Sequence, residues 1–322
     1  MQTPWGDLRV CDAHVHFFSP AFFARLAAEI RQPPQDMQEL SRTLEWRIPT
    51  SCEDLAADWK QELDKYSVAK AALIASVPGD QASVAAAVRL HPDRYWGFFM
   101  ANPAAPPGSP GGVEGVQEAI AGGSLQGVCL FPAMHRYAVG DSRVRPVFEA
   151  AAAHPGTIVF VHCGVLTVGV RRKLGLASPF DMRYSNPIDL HAVALEFPRV
   201  NFVVPHFGAG YFREALMLCD LCPNVYLDTS SSNSWVRYQP EKLDLKGVFR
   251  KALEVAGPRR LLFGSDSSFF PRGWYARILQ TQIQALRDIE IAAEDAGLIL
   301  GGNLERLLNR GRPHPQPDTV RI

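Results

Sequence analysis

Thr157-Ile158-Val159-Phe160-Val161-His162 is apolar from Ile158 to Val161 and largely β-branched, with no polar residue alternating into the run. A strand with one wet face alternates apolar and polar, because successive side chains point to opposite sides. A short unbroken run instead reads as a strand of a parallel sheet covered on both faces. This one closes on a histidine. Upstream, similar runs occupy residues 127–132, 95–100, 71–75 and 8–11, the last closing on Asp12-Ala13-His14-Val15-His16. Downstream they occupy 201–206, 224–228 and 260–266. Stretches of helical periodicity separate them: 51–66, 81–90, 113–121, 144–153, 186–197, 211–221, 245–256 and 274–290. Eight apolar runs alternating with helices predict an α/β fold of the (β/α)8 TIM-barrel type. An open doubly wound sheet would want a Gly-rich phosphate loop after an early strand, and no such loop is present.

A chain of 322 residues suits a single barrel domain over 1–322. At 47% hydrophobic and 20% charged residues it has the makings of a sizeable core. Lys+Arg and Asp+Glu are both 33, so nothing in the charge balance favours nucleic acid or an anionic membrane surface. The first residues lack a basic region followed by an apolar run, and no stretch reaches the ~18 apolar residues of a membrane span. A soluble, cytoplasmic protein is expected. Of the six cysteines, Cys11, Cys129 and Cys163 lie in apolar runs and read as small hydrophobes. Cys219 and Cys222 form a lone pair, with no second pair to complete a zinc site.

Two excursions stand out. Residues 17–51 part the first strand from its return helix. Residues 21–30 are helical in spacing; 31–51 read as irregular, broken by Pro33, Pro34 and Pro49, and the whole as a lid-like insertion. The return helix opens at Ser51, with Asp54 three residues on as an approximate capping box. Residues 311–322 are polar and Pro-rich, a surface tail or an arm onto the second subunit of a homodimer.

Barrel chemistry sits at the C-terminal strand ends. His14 and His16, two apart on a strand, point to one side; His162 ends the fifth run, His206 the sixth and Asp266 the eighth. The five side chains converge on one mouth. Three imidazoles and a carboxylate are ligands for a divalent ion such as Zn2+, with room left for water.

The motifs Asp12-Ala-His14-Val-His16, Val161-His162-Cys-Gly164, Pro205-His206-Phe-Gly208 and Gly264-Ser-Asp266-Ser resemble those of the amidohydrolase superfamily. They are most similar to its amidohydrolase-related branch of hydrolases, lactonases and aminocarboxymuconate semialdehyde decarboxylase-like enzymes. Residues 91–95 and 302–308 resemble that branch too, so the likeness covers nearly the whole chain. Many two-metal members carry a carboxylated lysine at the end of strand four, where this chain has Gly127-Val-Cys-Leu-Phe-Pro132. The resemblance therefore implies one metal ion, Zn2+ first and Mn2+ second, held by His14, His16, His162 and Asp266. It implies Asp266 as the catalytic proton acceptor and His206 as a catalytic histidine outside the ligand set.

For a substrate carboxylate, Arg183 and Tyr184 after strand five and Arg136 beside His135 after strand four are the candidate contacts, with Arg237 and Arg272 as alternates. His91, His154, His191 and His314 read as solvated or capping residues. The expected function is metal-dependent hydrolysis of a small ester, lactone or amide. Second stands non-oxidative decarboxylation of a small carboxylic acid, aromatic acids included, since Phe17-Phe18-Ser19-Pro20 resembles the decarboxylases. A non-catalytic binding protein has no use for an open metal position.

Overall fold

The computed structural model describes residues 1–308, so the tail expected at 311–322 lies outside the described residues. Eight parallel strands follow in order: β1 Cys11–Phe17, β2 Lys70–Ala75, β3 Tyr95–Ala101, β4 Gly127–Leu130, β5 Ile158–Val161, β6 Asn201–Val204, β7 Val225–Asp228 and β8 Leu261–Leu262. Each pairs with its neighbour in sequence. β8 is short, but the chain beyond it runs along β1. Ala13 N donates to Phe263 O (2.8 Å), Asp266 N to His14 O (3.0 Å) and His16 N to Ser267 O (2.7 Å), which closes the barrel.

Two apolar layers account for the unbroken runs. Cys11, Ala13, Ala72, Ile74, Phe98, Cys129 and Phe160 belong to the cluster filling the barrel. Val15, Phe17, Leu73, Ala75 and Phe99 belong to the cluster shared with the surrounding helices, Leu55, Trp59 and Val84 among them. Leu304, Leu307 and Leu308 of the helix Asn303–Leu308 join the inner cluster.

The inner-to-outer order changes within β1. Its register against β2 slips between Asp12 and Val15, so one extra residue enters on the β1 side. Cys11 and Ala13 face inward before the slip; Val15 and Phe17 face outward after it. His14 and His16 thereby turn into the barrel mouth, which is what a bulge beside a site accomplishes.

The helix Cys52–Lys65 opens as expected, with Ser51 Oγ accepting from Asp54 N (3.0 Å). Helices Gln81–Leu90 and Leu245–Ala256 keep their expected bounds. The insertion differs: residues 37–44, expected to be irregular, form the helix Met37–Leu44. Asp36 Oδ1 accepts from Glu39 N (2.8 Å), and Leu40 and Leu44, four apart, bury against Phe22, Phe23, Leu26 and Val170. The cap and the i,i+4 pair outweigh the prolines, which lie outside the helix. The short hairpin of Gln2–Thr3 on Gly6–Asp7 was not foreseen. Among the described residues no helix is long and apolar enough to cross a membrane.

Candidate active site

At the mouth, His14 Nε2 lies 3.4 Å from His16 Nε2, and Asp266 Oδ1 lies 3.3 Å from His16 Nε2 and 3.8 Å from His14 Nε2. The far side of each ring is already committed. His14 Nδ1–H donates to Asp228 Oδ2 at 2.7 Å. Ser76 sends its own hydroxyl hydrogen to Ile74 O (3.0 Å), so its Oγ accepts from His16 Nδ1–H at 2.7 Å. Both rings are thus held in the tautomer that leaves Nε2 as a lone pair. Two lone pairs facing each other beside a carboxylate repel unless a cation lies among them. The donor set therefore fits a divalent ion of the zinc type.

Charge follows the same geometry. Burial opposes the ionised form of Asp266, but His16, His14 and His206 hold its carboxyl well below the usual range. Burial also opposes charge on His14, where Asp228 outweighs it and raises the ring. Burial lowers His16 and His206. Asp266 and His206 carry φ of +59° and +55°, a left-handed conformation that is costly outside glycine and concentrates at functional sites.

Beneath the mouth, Asp12 fastens β1 to the end of β8. Its Oδ1 accepts from His14 N (2.9 Å) and Ser265 N (3.0 Å), and its Oδ2 from Trp274 Nε1 (2.7 Å). Complete burial pushes this carboxyl up to about 6, against the pull of those donors. Gly264 has to be glycine, since a Cβ there would run into Asp228 Oδ1 and His14 Cβ. A Cβ at Gly164 would run into the Gly208 and Ala209 carbonyl oxygens, where the loops after β5 and β6 touch.

His162 stands beside the trio. Its ring is stacked on Phe131 and lies 5.4 Å from the ring of His206. It is not among the residues whose ligand atoms all fall within 4.8 Å of one another, which are His14, His16 and Asp266 in one group and His14, His206 and Asp228 in the other. Its Nδ1 is nonetheless buried without a hydrogen-bond partner, an atom suited to a ligand bond. Burial, then the neighbouring His206 and His14, hold this ring well below its ordinary range.

Sequence reading missed Asp228, Ser230 and Ser76. Ser230 Oγ donates to Asp228 Oδ2 (2.9 Å) and lies 2.8 Å from His206 Nδ1 and 3.0 Å from His14 Nδ1, so it joins the two histidines. The signal was present, because the seventh run also ends on a carboxylate, Asp228. Cys129 is a buried thiol inside the barrel, pushed up by burial, and among the described residues belongs to neither ligand group.

The cavity above the cluster, about 490 Å³, is walled by Phe18, Phe22 and Trp46 of the insertion together with Phe269. Phe18 stacks on Phe22 (3.9 Å between centroids) and Trp46 on Phe269 (4.0 Å). Arg183, Tyr184 and Arg136 do not line this cavity. Arg183 is 82% exposed and grips Asp181 with Nε and Nη2 (3.0 and 2.6 Å), a local pairing that the two-residue spacing favours. Arg136 donates to Pro179 O (2.8 Å). The guanidinium groups that reach the cavity are Arg272 and Arg237. Arg272 donates to Ser268 Oγ (2.9 Å) and lies over the rings of Phe269 and Tyr275. Arg237 donates to Tyr238 Oη (2.7 Å). Neither pairs with a carboxylate among the described residues, and Asp266 is the one acid in the cavity wall.

A family model described as amidohydrolase matches residues 11–310, nearly the whole chain. The chain belongs to the amidohydrolase family. As an amidohydrolase-family enzyme it shares 34% identity over 91 residues with protein fluG of Emericella nidulans; the match takes in 28% of this chain and spans about a tenth (10%) of that protein. Its barrel superposes on an uncharacterized TIM-barrel protein from Bordetella bronchiseptica with a TM-score of 0.63 at 20% identity, covering 94% of this chain and 98% of that one. An amidohydrolase from Burkholderia multivorans with bound zinc gives 0.58 at 18%, covering 93% and 99%. A 2,6-dihydroxybenzoate decarboxylase complexed with 2,6-dihydroxybenzoate gives 0.54 at 15%, covering 96% and 99%. At these identities the structural likeness is one of fold.

Proposed function

We propose that this amidohydrolase-family enzyme is a metal-dependent hydrolase of a small ester, lactone or amide bearing an acidic group. The observation that carries the reading is the pair of Nε2 lone pairs of His14 and His16 facing an ionised Asp266, with His162 alongside. These four residues would hold one divalent ion, Zn2+ or Mn2+. Bound there, the ion supplies a Lewis acid that brings the pKa of water toward neutrality.

The protein's own groups do the rest. Asp266 takes a proton from the attacking water as the new C–O bond forms at the substrate carbonyl, then passes it to the departing oxygen or nitrogen as that bond breaks. His206 has its Nδ1–H committed to Ser230 and presents Nε2 as an acceptor that orients the water. Arg272 and Arg237, in no ion pair among the described residues, receive the carboxylate that hydrolysis sets free.

The stacked aromatic wall favours a second reading, decarboxylation of an aromatic acid, because a flat ring packs against it. A panel of lactones, esters and amides, offered to Zn2+- or Mn2+-loaded protein, separates the two. Acid release is expected. Asp266→Asn lowers it by about 10³-fold or more, and His206→Ala by about 10²-fold with metal retained. A silent panel, with CO2 released from hydroxybenzoates, would establish the decarboxylase instead.

A further inference from the structure

Beside the cavity over His14, His16 and Asp266 lies a second chamber of about 610 Å³, with which it shares Phe22, Ser76, Met100, Met134, Val168 and Val170 as a common wall. The wall starts close to the chemistry, since Ser76 is the residue that accepts from His16. It includes two methionines, unbranched side chains that repack around an irregular guest more readily than branched ones.

Beyond the wall the lining is mostly apolar, including Leu26, Val77, Ala104 and Phe180. Two guanidinium groups face this space. Arg171 is committed to Glu29 at 2.7 Å and to Ala177 O at 2.8 Å. Arg25, in the last turn of the helix Pro20–Ala28, makes no ion pair among the described residues. Glu29, the acid in the lining, is paired with Arg171, and burial lowers His135, the remaining titratable group there, to about 4. The chamber is therefore a mostly apolar space whose one cation outside any ion pair among the described residues is Arg25, set against the candidate site across a shared wall.

We infer that the substrate is bipartite: its reacting carbonyl lies over His14, His16 and Asp266, and an apolar arm ending in a carboxylate passes Met100 and Met134 into the second chamber to meet Arg25. The substrate class is a half-ester or half-amide of a dicarboxylic acid. The identity of the reacting bond rests on the hydrolase reading above; the binding of the arm does not.

Calorimetric titration of the full, Zn2+-loaded protein tests this with straight-chain α,ω-dicarboxylates from succinate to sebacate and monocarboxylates of matching length. Affinity should climb along the diacid series, and the longest diacid should bind about tenfold or more tightly than its monoacid partner. Ala104→Trp, which fills the chamber, should erase the dependence on length. Arg25→Glu, on an exposed helix surface, should erase the advantage of the second carboxylate. Both variants should bind acetate and zinc as the parent does. An affinity that stays flat with length, or a length effect that survives both substitutions, overturns the inference even if short esters are hydrolysed. Length-dependent binding without turnover of any half-ester would remove the hydrolase reading and leave the bipartite site standing.

Discussion

The β1 corner of the mouth and the β4–β5 corner are built differently. At β1 every ring nitrogen turned away from the centre has a partner: His14 Nδ1 has Asp228, and His16 Nδ1 has Ser76. At β4–β5 the Nδ1 atoms of His162 and His135 and the hydroxyl of Tyr137 are buried with none. Leaving such a group unpaired costs about 1–3 kcal/mol, so the first corner is rigid by its own hydrogen bonds and the second gains most from a ligand. The charges agree. Asp228 raises His14 against the opposition of burial, whereas burial alone drives His135 down and, with the neighbouring His206 and His14, drives His162 down.

The contrast can be broken most forcefully at His162. If its Nδ1 is a metal ligand, His162→Ala weakens zinc binding by more than about 100-fold, beyond what loss of an outer partner does; a metal titration showing parent-like affinity would make it a packing residue. Asp228→Asn, which leaves His14 in place and removes the charge behind it, should cost about 10–100-fold in metal affinity or turnover. Ser76→Ala removes one neutral hydrogen bond behind His16, worth about 1 kcal/mol, so zinc affinity should fall by about fivefold. A loss equal to that of Asp228→Asn would erase the distinction between a charged and a neutral partner.

The smallest effect is expected at His135. The unfolded chain takes up a proton there as the pH drops through 6.5, and the native state does so only near 4. The unfolded state binds more protons in that window, so stability is lost as the pH falls from 6.5 toward 4. His135→Leu should flatten the decline of Tm between pH 7 and pH 5 by a few degrees, read from thermal melts. Parallel pH profiles would show that the imidazole is solvated in the native state.

Much of this was legible in the chain. Period and composition alone determine the eight strands and their order, because a strand covered on both faces must be apolar throughout. Strand order in turn brings His14, His16, His206 and Asp266 to one end. The helix Met37–Leu44 was legible but overlooked, its Asp36 cap and its Leu40–Leu44 pair masked by nearby prolines. Other features depend on contacts between distant residues and carry no local signature. The slip in β1 that turns His14 and His16 inward is a matter of register against β2. Asp228 and Ser230 reach their histidines only because β7 lies near β1 in the closed barrel. The choice among arginines was decided the same way: Arg183 finds its acid two residues away, while Arg272 and Arg237 are carried to the cavity by loops whose course the spacing of apolar residues does not encode. Periodicity reports which face of an element is dry; which side chains meet across the mouth is set by closure of the barrel, which sums contacts far apart in sequence.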